Sequence, residues 1–165
     1  PDDVEETGKT LEENAVLKAK YFAQKYKCGV IADDTGFEID ALGGEPGIYA
    51  RRWPGHEATD EELINMVVER LGNTPEEKRT AKMTNSIALC SGDGKVVAMS
   101  TGYIKGFIPK KISKKRAPHF PYRSVLFLPE LNKFFINITQ EEFNNLNFRF
   151  KAIEKIIPDI KKVLG

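Results

Sequence analysis

Two adjacent acids, Asp33 and Asp34, are the residues of this sequence whose types and spacing most clearly permit chemistry. They end a short apolar run, residues 29–32, whose length suits a buried strand. Two carboxylates in such a place repel each other, and loss of water disfavours both charges. A divalent cation is the usual compensation. A polar hairpin turn with solvated acids is the alternative, and the local sequence leaves both open.

A lysine upstream of the acids falls on the apolar side of a predicted helix. The capping box that begins at Thr10 predicts a helix to about Lys27. Lys18 lies within its expected apolar stripe, whose other members are Leu11, Ala15, Phe22 and Tyr26, with Ala19 beside them. Such a lysine either extends its amine to solvent or has a partner for it. An ammonium aimed at a phosphate near the acids is the sharper hypothesis.

The residues after the acids predict a break, a second short strand and a bend. Thr35-Gly36 ends the first strand, and the alternation of residues 37–41 is typical of a half-buried strand. The glycines of residues 43–47 predict a tight bend. Arg51 and Arg52 follow the bend, and one of them could bind phosphate through its planar fork. A surface arginine pair is the alternative.

Helices and strands alternate along the rest of the chain, which predicts one α/β domain with a mixed sheet. A second capping box at Thr59 predicts a helix that ends at Gly72. Further strands are expected at 79–91, 95–108, 124–128 and 133–138, a short helix after Thr139, and a last helix from about Asn147 that Pro158 interrupts. The basic loop 110–116 is expected to be a solvated surface, with attraction of a nucleotide as the minority hypothesis.

The composition excludes several partners. The net charge is +1, so no overall field favours nucleic acid, and no apolar run approaches the roughly 18 residues of a membrane span. Cys28 and Cys90 lie in strand-like runs and suit a reducing cytoplasm. The sequence starts at Pro1 without a preceding strand, and we expect an N-terminal segment to be missing from it.

Two ordered blocks, ETGKTLEENAVLKA and IADDTGFEIDALGGEPGIYARR, resemble the inosine/xanthosine triphosphate pyrophosphatase family. The resemblance implies an elongated mixed β-sheet flanked by helices, in two lobes with a central cleft. It also implies Mg²⁺-dependent hydrolysis of deaminated purine nucleoside triphosphates to the monophosphate and pyrophosphate, by a cytoplasmic homodimer that binds neither membrane nor nucleic acid.

The resemblance also implies roles for individual residues. Glu6 and Asp33 would hold the metal with Asp34, and Asp34 would orient or deprotonate the attacking water. The remaining positions would bind substrate; they are Lys18, Thr35, Gly36, Arg52, Phe120, Tyr122 and Arg149.

The sequence departs from the family in the half that should recognise the base. Arg123 stands where the family has an acid, and Phe143 aligns with a family lysine. Further changes fall at Ile136-Asn137-Ile138 and at Asn147-Phe148, while Phe120 remains able to stack on a base. These changes suggest a shifted base specificity. Together with the missing start, they also suggest a second hypothesis, a non-catalytic nucleotide-binding protein.

Overall fold

The structure is a computed structural model that describes residues 4–164; Pro1, where the sequence starts, lies outside them. Four α-helices are described: α1 (Leu11–Tyr26), α2 (Asp60–Leu71), α3 (Gln140–Leu146) and α4 (Phe148–Leu164). The strands are β1 (Val30–Ile39), β2 (Pro46–Gly47), β3 (Thr80–Cys90), β4 (Val96–Phe107), β5 (Phe127–Leu128) and β6 (Lys133–Phe134). None of the helices in this part of the chain is both long and apolar enough to cross a membrane.

The strands form one sheet in the order β2-β1-β3-β4-β5-β6. β1 pairs with β2, β4 with β5 and β5 with β6, and each of these pairs is antiparallel. The α/β class predicted from the sequence is therefore confirmed.

The chain divides into two compact units. The first unit consists of Pro1–Thr35, Thr84–Tyr103 and Asn147–Gly165, and the second consists of Gly36–Met83 and Ile104–Leu146. The expected two lobes correspond to these units. That the chain is one domain stays a prediction.

The first unit has three layers, with a helix on each face of its strands. Ala15, Ala19 and Ala23 of α1 are fully buried against Ala88 and Cys90 of β3. The β3 residues that alternate with them, Ile87 and Leu89, pack against Ala152 and Ile156 of α4. Successive strand residues point to opposite faces, so β3 separates the two helices.

The first helix begins as predicted but buries a different stripe. Thr10 is its N-cap and accepts the Glu13 N–H at 3.1 Å. Its buried residues lie one turn apart and are mostly alanines, whereas Tyr26, expected in the core, is 60% exposed. Small side chains let the helix approach the strands closely, and the aromatic rings stay at the margin.

Three other expectations about the elements are wrong. β1 runs without interruption through Thr35-Gly36. The strands expected at 124–128 and 133–138 shrink to the two-residue β5 and β6, because 3₁₀ turns flank them. Pro158 lies inside α4, which continues past it to Leu164.

The second unit packs α2 and the turn at Pro121–Ser124 around a core of its own. Thr59 caps α2 by accepting the Glu62 N–H at 3.2 Å, and Gly72 follows the helix, both as predicted. Buried side chains from the strands, the helix and the adjoining loops fill the core; the largest are Phe37, Ile39, Leu63, Ile64, Leu71, Ile108, Leu126 and Leu128.

Candidate active site

An acid–lysine centre lies where α1 faces β1 in the first unit. Lys18 donates from Nζ to Asp34 Oδ1 at 2.8 Å and to Glu6 Oε1 at 3.0 Å. The Lys18 side chain is 20% exposed and that of Asp34 12%. Asp34 shares the strand face of Val30 and Ala32, which pack against α1, so the alternation of β1 directs its carboxylate toward the helix.

Asn14, one turn before Lys18, ties this centre to the segment before the helix. It is 1% exposed, and its Nδ2 donates to Asp34 Oδ2 at 3.3 Å. Its Oδ1 accepts the Gly8 N–H at 2.9 Å. A buried amide satisfied on both ends fixes the segment that carries Glu6 beside the lysine.

Burial and neighbouring charges shift the pKa values of Asp34 and Lys18 in this centre. Burial raises the pKa of Asp34, and the Glu6 carboxylate raises it further; the contact with Lys18 opposes both, and the net shift is upward. Burial lowers the pKa of Lys18, but its bonds to Asp34 and Glu6 outweigh burial and raise it. The centre therefore places the Lys18 ammonium between the side chains of Asp34 and Glu6.

A second polar cluster lies on the opposite face of β1. Asn85, fully buried on β3, donates from Nδ2 to Asp33 Oδ2 at 2.6 Å and to Thr35 Oγ1 at 2.8 Å. Arg149, at the start of α4, reaches Thr35 Oγ1 at 3.0 Å and Asp33 Oδ2 at 3.3 Å. Asp33 and Thr35 are two residues apart on the strand and so share this face.

The structure places Asp33 apart from Glu6 and Asp34, although the three carboxylates were expected to hold one metal ion. Glu6 and Asp34 meet at Lys18, whereas Asp33 bonds to Asn85 and Arg149. Within residues 4–164, no group of three or more histidine, cysteine, aspartate or glutamate side chains is arranged to hold a metal ion. The expectation placed Asp33 and Asp34 in one cluster, but a continuous strand sends neighbouring side chains to opposite faces.

The other predicted site residues belong to the second unit. Gly36 is buried, Arg52 is exposed, and Phe120 is 51% exposed. Tyr122 is 5% exposed, stacks on Phe37 with centroids 4.3 Å apart, and donates its hydroxyl to the Ala50 carbonyl at 2.5 Å. Tyr122 is thus packed in the core of the second unit, and its substrate-binding role stays a prediction.

Arg51, the first of the two arginines after the bend, is bonded within the second unit. Arg51 donates to Asp60 Oδ1 at 2.6 Å and to the Ala58 carbonyl at 3.2 Å, which ties the bend to the start of α2. Arg51 is therefore occupied structurally, and Arg52 stays the predicted phosphate ligand.

Sequence reasoning missed Asn85. Its Nδ2 holds both Asp33 and Thr35, while its buried Oδ1 has no hydrogen-bond partner among residues 4–164. The signal was an amide among the apolar residues of a strand predicted at 79–91, since a buried polar group needs partners.

Comparison with known proteins identifies the class of this one. The dITP/XTP pyrophosphatase of Halalkalibacterium halodurans is 36% identical over 155 residues, which cover 94% of this chain and 78% of that protein. The dITP/XTP pyrophosphatase of Caldanaerobacter subterraneus is 37% identical over 164 residues, 99% of this chain and 80% of the relative. These relatives are pyrophosphatases, which is the class of enzyme predicted from the sequence.

A family model and solved structures agree. The chain belongs to the Ham1 family, whose model matches residues 1–159. The structure of the Staphylococcus aureus Ham1 protein matches with a TM-score of 0.85 and 34% identity, covering 98% of this chain and 81% of that one. A HAM1 protein from Coxiella burnetii matches with a TM-score of 0.85, 29% identity and the same coverage.

Proposed function

We propose that this protein hydrolyses deaminated purine nucleoside triphosphates, such as dITP and XTP, to the nucleoside monophosphate and pyrophosphate with the help of Mg²⁺. The observation that carries the proposal is the convergence of Glu6 and Asp34 on Lys18 Nζ within 3.0 Å. The name of the curated relatives, dITP/XTP pyrophosphatase, supports the reaction and the substrate class.

The acidic pair fits a divalent cation. Mg²⁺ is usually bound by one or two carboxylates together with phosphate oxygens and retained waters. Glu6 and Asp34 supply two carboxylates at one point, and the like charge of Glu6 adds to the upward shift that burial causes in the Asp34 pKa. When bound, the metal would offset the charge of the phosphates and lower the pKa of a nearby water.

The chain's own residues supply the rest of the chemistry. Asp34 accepts a proton from the attacking water, whose oxygen bonds to the α-phosphorus. The bond from that phosphorus to the bridging oxygen breaks, and pyrophosphate leaves with the electron pair. Catalysis of this kind depends mainly on positioning and electrostatics. Lys18 contributes a point charge beside the acids, and it remains protonated because the two carboxylates raise its pKa.

Phosphate binding falls to groups with donors. In the first unit, Thr35 offers a hydroxyl and Arg149 a planar fork. Gly36 and Arg52, in the second unit, stay predicted phosphate ligands. Asp33 has a different part in this proposal from the one expected. It orients Arg149, to which it is paired at 3.3 Å, and does not hold the metal.

We also propose that the protein works as a homodimer in the cytoplasm. Cys28 is exposed and Cys90 buried, and both are free thiols, which suits a reducing compartment. The dimer rests on the family resemblance, and light scattering of the purified protein tests it.

Pyrophosphate release from a panel of triphosphates tests the function. The protein with Mg²⁺ is expected to release pyrophosphate from dITP and XTP, and a chelator is expected to stop the release. Glu6→Gln should slow turnover at least tenfold. Glu5→Gln is the matched control, because Glu5 is an exposed acid in the same segment. Nucleotide binding without product from any triphosphate would favour the non-catalytic alternative.

A further inference from the structure

The Lys18 ammonium bonds to both of the carboxylates that the proposed function assigns to the metal. Its Nζ is 2.8 Å from Asp34 Oδ1 and 3.0 Å from Glu6 Oε1. A carboxylate oxygen that is bonded to an ammonium is less available to a second cation, and two cations at one point repel each other. Lys18 and a divalent ion therefore compete for the same two side chains.

The two acids are held in place more firmly than the lysine. Asp34 belongs to β1, and Asn14 donates from Nδ2 to its Oδ2 at 3.3 Å. Glu6 lies in a segment that packs closely on α1, since Gly8 donates to Asn14 Oδ1 at 2.9 Å and a Cβ at Gly8 would come within 2.5 Å of that oxygen. Lys18 carries its charge on a flexible four-carbon stem, and its side chain is 20% exposed. The ammonium is thus the partner that can move.

A nucleotide supplies another partner for this ammonium. A lysine has three N–H donors, and phosphate oxygens are strong acceptors for them. The carboxylates of Asp34 and Glu6 take two of the Lys18 donors, and the third has no acceptor within residues 4–164. A phosphate that bonds to Lys18 can draw the ammonium away from the acids, which makes their oxygens available to a cation.

Resting on the proposed function, we propose that Lys18 controls metal binding by an exchange of partners. Its ammonium blocks the carboxylates of Glu6 and Asp34 until it passes to a phosphate oxygen of the nucleotide. Nucleotide and Mg²⁺ then bind cooperatively, because the phosphate removes the competitor of the metal. Such coupling is reciprocal and typically changes an affinity by about five- to 150-fold.

Calorimetric titration of the whole chain with Mg²⁺ alone tests the competition without turnover. Lys18→Met keeps an unbranched side chain but removes the ammonium, and it should bind Mg²⁺ at least about tenfold more tightly than the wild-type protein. Lys20→Met is the matched control, because it removes an exposed lysine of the same helix; its Mg²⁺ affinity should stay within twofold of wild type. An Mg²⁺ affinity of Lys18→Met that equals or falls below that of wild type would overturn the proposal, as would absence of Mg²⁺ binding to both proteins.

A second titration distinguishes the exchange from simple repulsion between Lys18 and the metal. IMP carries the phosphate that the reaction leaves on the nucleoside, and it is not a substrate for pyrophosphate release. Saturating IMP should raise the Mg²⁺ affinity of the wild-type protein, and the gain should be at least about fivefold smaller in Lys18→Met, where no ammonium has to leave. An equal gain in both proteins, or no gain in wild type, would contradict the exchange. Lys18→Gln, which keeps an amide donor for the phosphate, serves in place of Lys18→Met should that variant unfold or bind no IMP.

Turnover separates this inference from the proposed function. If the wild-type protein releases no pyrophosphate from any triphosphate, yet Lys18→Met gains Mg²⁺ affinity and loses the coupling to IMP, the enzyme proposal fails and the exchange stands. If the wild-type protein hydrolyses dITP but its Mg²⁺ affinity equals that of Lys18→Met, the exchange fails and the enzyme proposal stands.

Discussion

Asp33 and Asp34 are neighbours in the chain, but their carboxylates bond to groups on opposite faces of one strand. Asp34 Oδ1 accepts from Lys18 of α1 at 2.8 Å, while Asp33 Oδ2 accepts from Asn85 of β3 at 2.6 Å and pairs with Arg149 of α4. Two acids that look equivalent in the sequence therefore belong to different polar clusters.

This separation predicts unequal effects of the same substitution at the two acids. Asp34→Asn should lower kcat by about a hundredfold or more, because it removes the group that accepts the water's proton. Asp33→Asn keeps an acceptor for Asn85 and should cost less than tenfold. Steady-state pyrophosphate release measures both, and equal losses would contradict the division of roles.

Removing the charge of Glu6 should change the pKa of Asp34. The pKa of Asp34 is raised by burial and then by Glu6, so Glu6→Gln should lower it by removing a like charge. Carboxyl NMR titration of the metal-free protein measures this shift. Glu5→Gln, in the exposed neighbour, should leave the Asp34 titration unchanged; an upward shift in Glu6→Gln would contradict the geometry.

Asp60 should make the stability of the protein sensitive to acid. Burial raises the pKa of Asp60, but the bonds from Arg51 and from the His119 backbone N–H outweigh burial and hold the pKa below its ordinary value. A lowered folded-state pKa stabilises above the unfolded-state value of about 3.9, and this stability is lost as the pH falls through the folded value.

Asp60→Asn should therefore lower the free energy of unfolding at pH 7, and the difference from wild type should shrink as the pH drops below about 4. Urea denaturation at several pH values measures it. Asp159→Asn removes a surface ion pair with Lys162 and should have a smaller effect, up to about 1 kcal/mol. A difference between Asp60→Asn and wild type that is independent of pH would contradict the role of the charge.

Replacing the Asn85 amide by a carboxylate should destabilise the protein. Asn85→Asp is nearly isosteric, but it places a buried acid where the amide donates to Asp33 at 2.6 Å. Because folding must either desolvate two like charges or protonate one, the variant should lose about 2 kcal/mol or more at pH 7 and recover stability as the pH falls. Asn73→Asp, at an exposed position, is the control. Equal stability of the two variants at pH 7 would be inconsistent with the bonding of Asn85.

Tyr122→Phe tests whether the hydroxyl of that residue stabilises the core or binds substrate. Loss of the hydroxyl leaves the Ala50 carbonyl without this donor, and the expected cost is about 1–2 kcal/mol of unfolding free energy. KM for dITP should be unchanged. Tyr49→Phe, at a residue that is 59% exposed, should change neither quantity. A raised KM at unchanged stability would favour the predicted substrate-binding role.

Local signals in the sequence predicted the ends of the long elements well. The Thr10 and Thr59 side chains cap α1 and α2, because a hydroxyl acceptor at an N-cap satisfies a backbone donor wherever the helix later packs. The strands predicted at 79–91 and 95–108 likewise match β3 and β4 within a few residues at each end. These features depend on neighbours in the chain.

Features that depend on distant neighbours were predicted less well. Thr35-Gly36 indicates a break in isolation, yet the pairing of β1 with other strands carries it through, and that continuity decides the face of each acid. The lengths of the strands expected at 124–128 and 133–138 were overestimated, because an apolar run does not show which of its residues form 3₁₀ turns.

Two departures from the family pattern turn out to be one feature. The sequence shows an arginine in place of an acid at 123 and a phenylalanine in place of a lysine at 143, twenty positions apart. In the structure the Arg123 guanidinium lies over the Phe143 ring. Only the fold reveals that these two positions are in contact.

The alanines of α1 determine how far Lys18 must reach. Ala15 and Ala19 are fully buried against the sheet on either side of it, and their short side chains set the helix-to-sheet separation. Ala19→Leu would increase that separation by inserting a bulkier group. The ammonium would then lose its contact with Asp34, so residues that touch no substrate govern the reach of the cation.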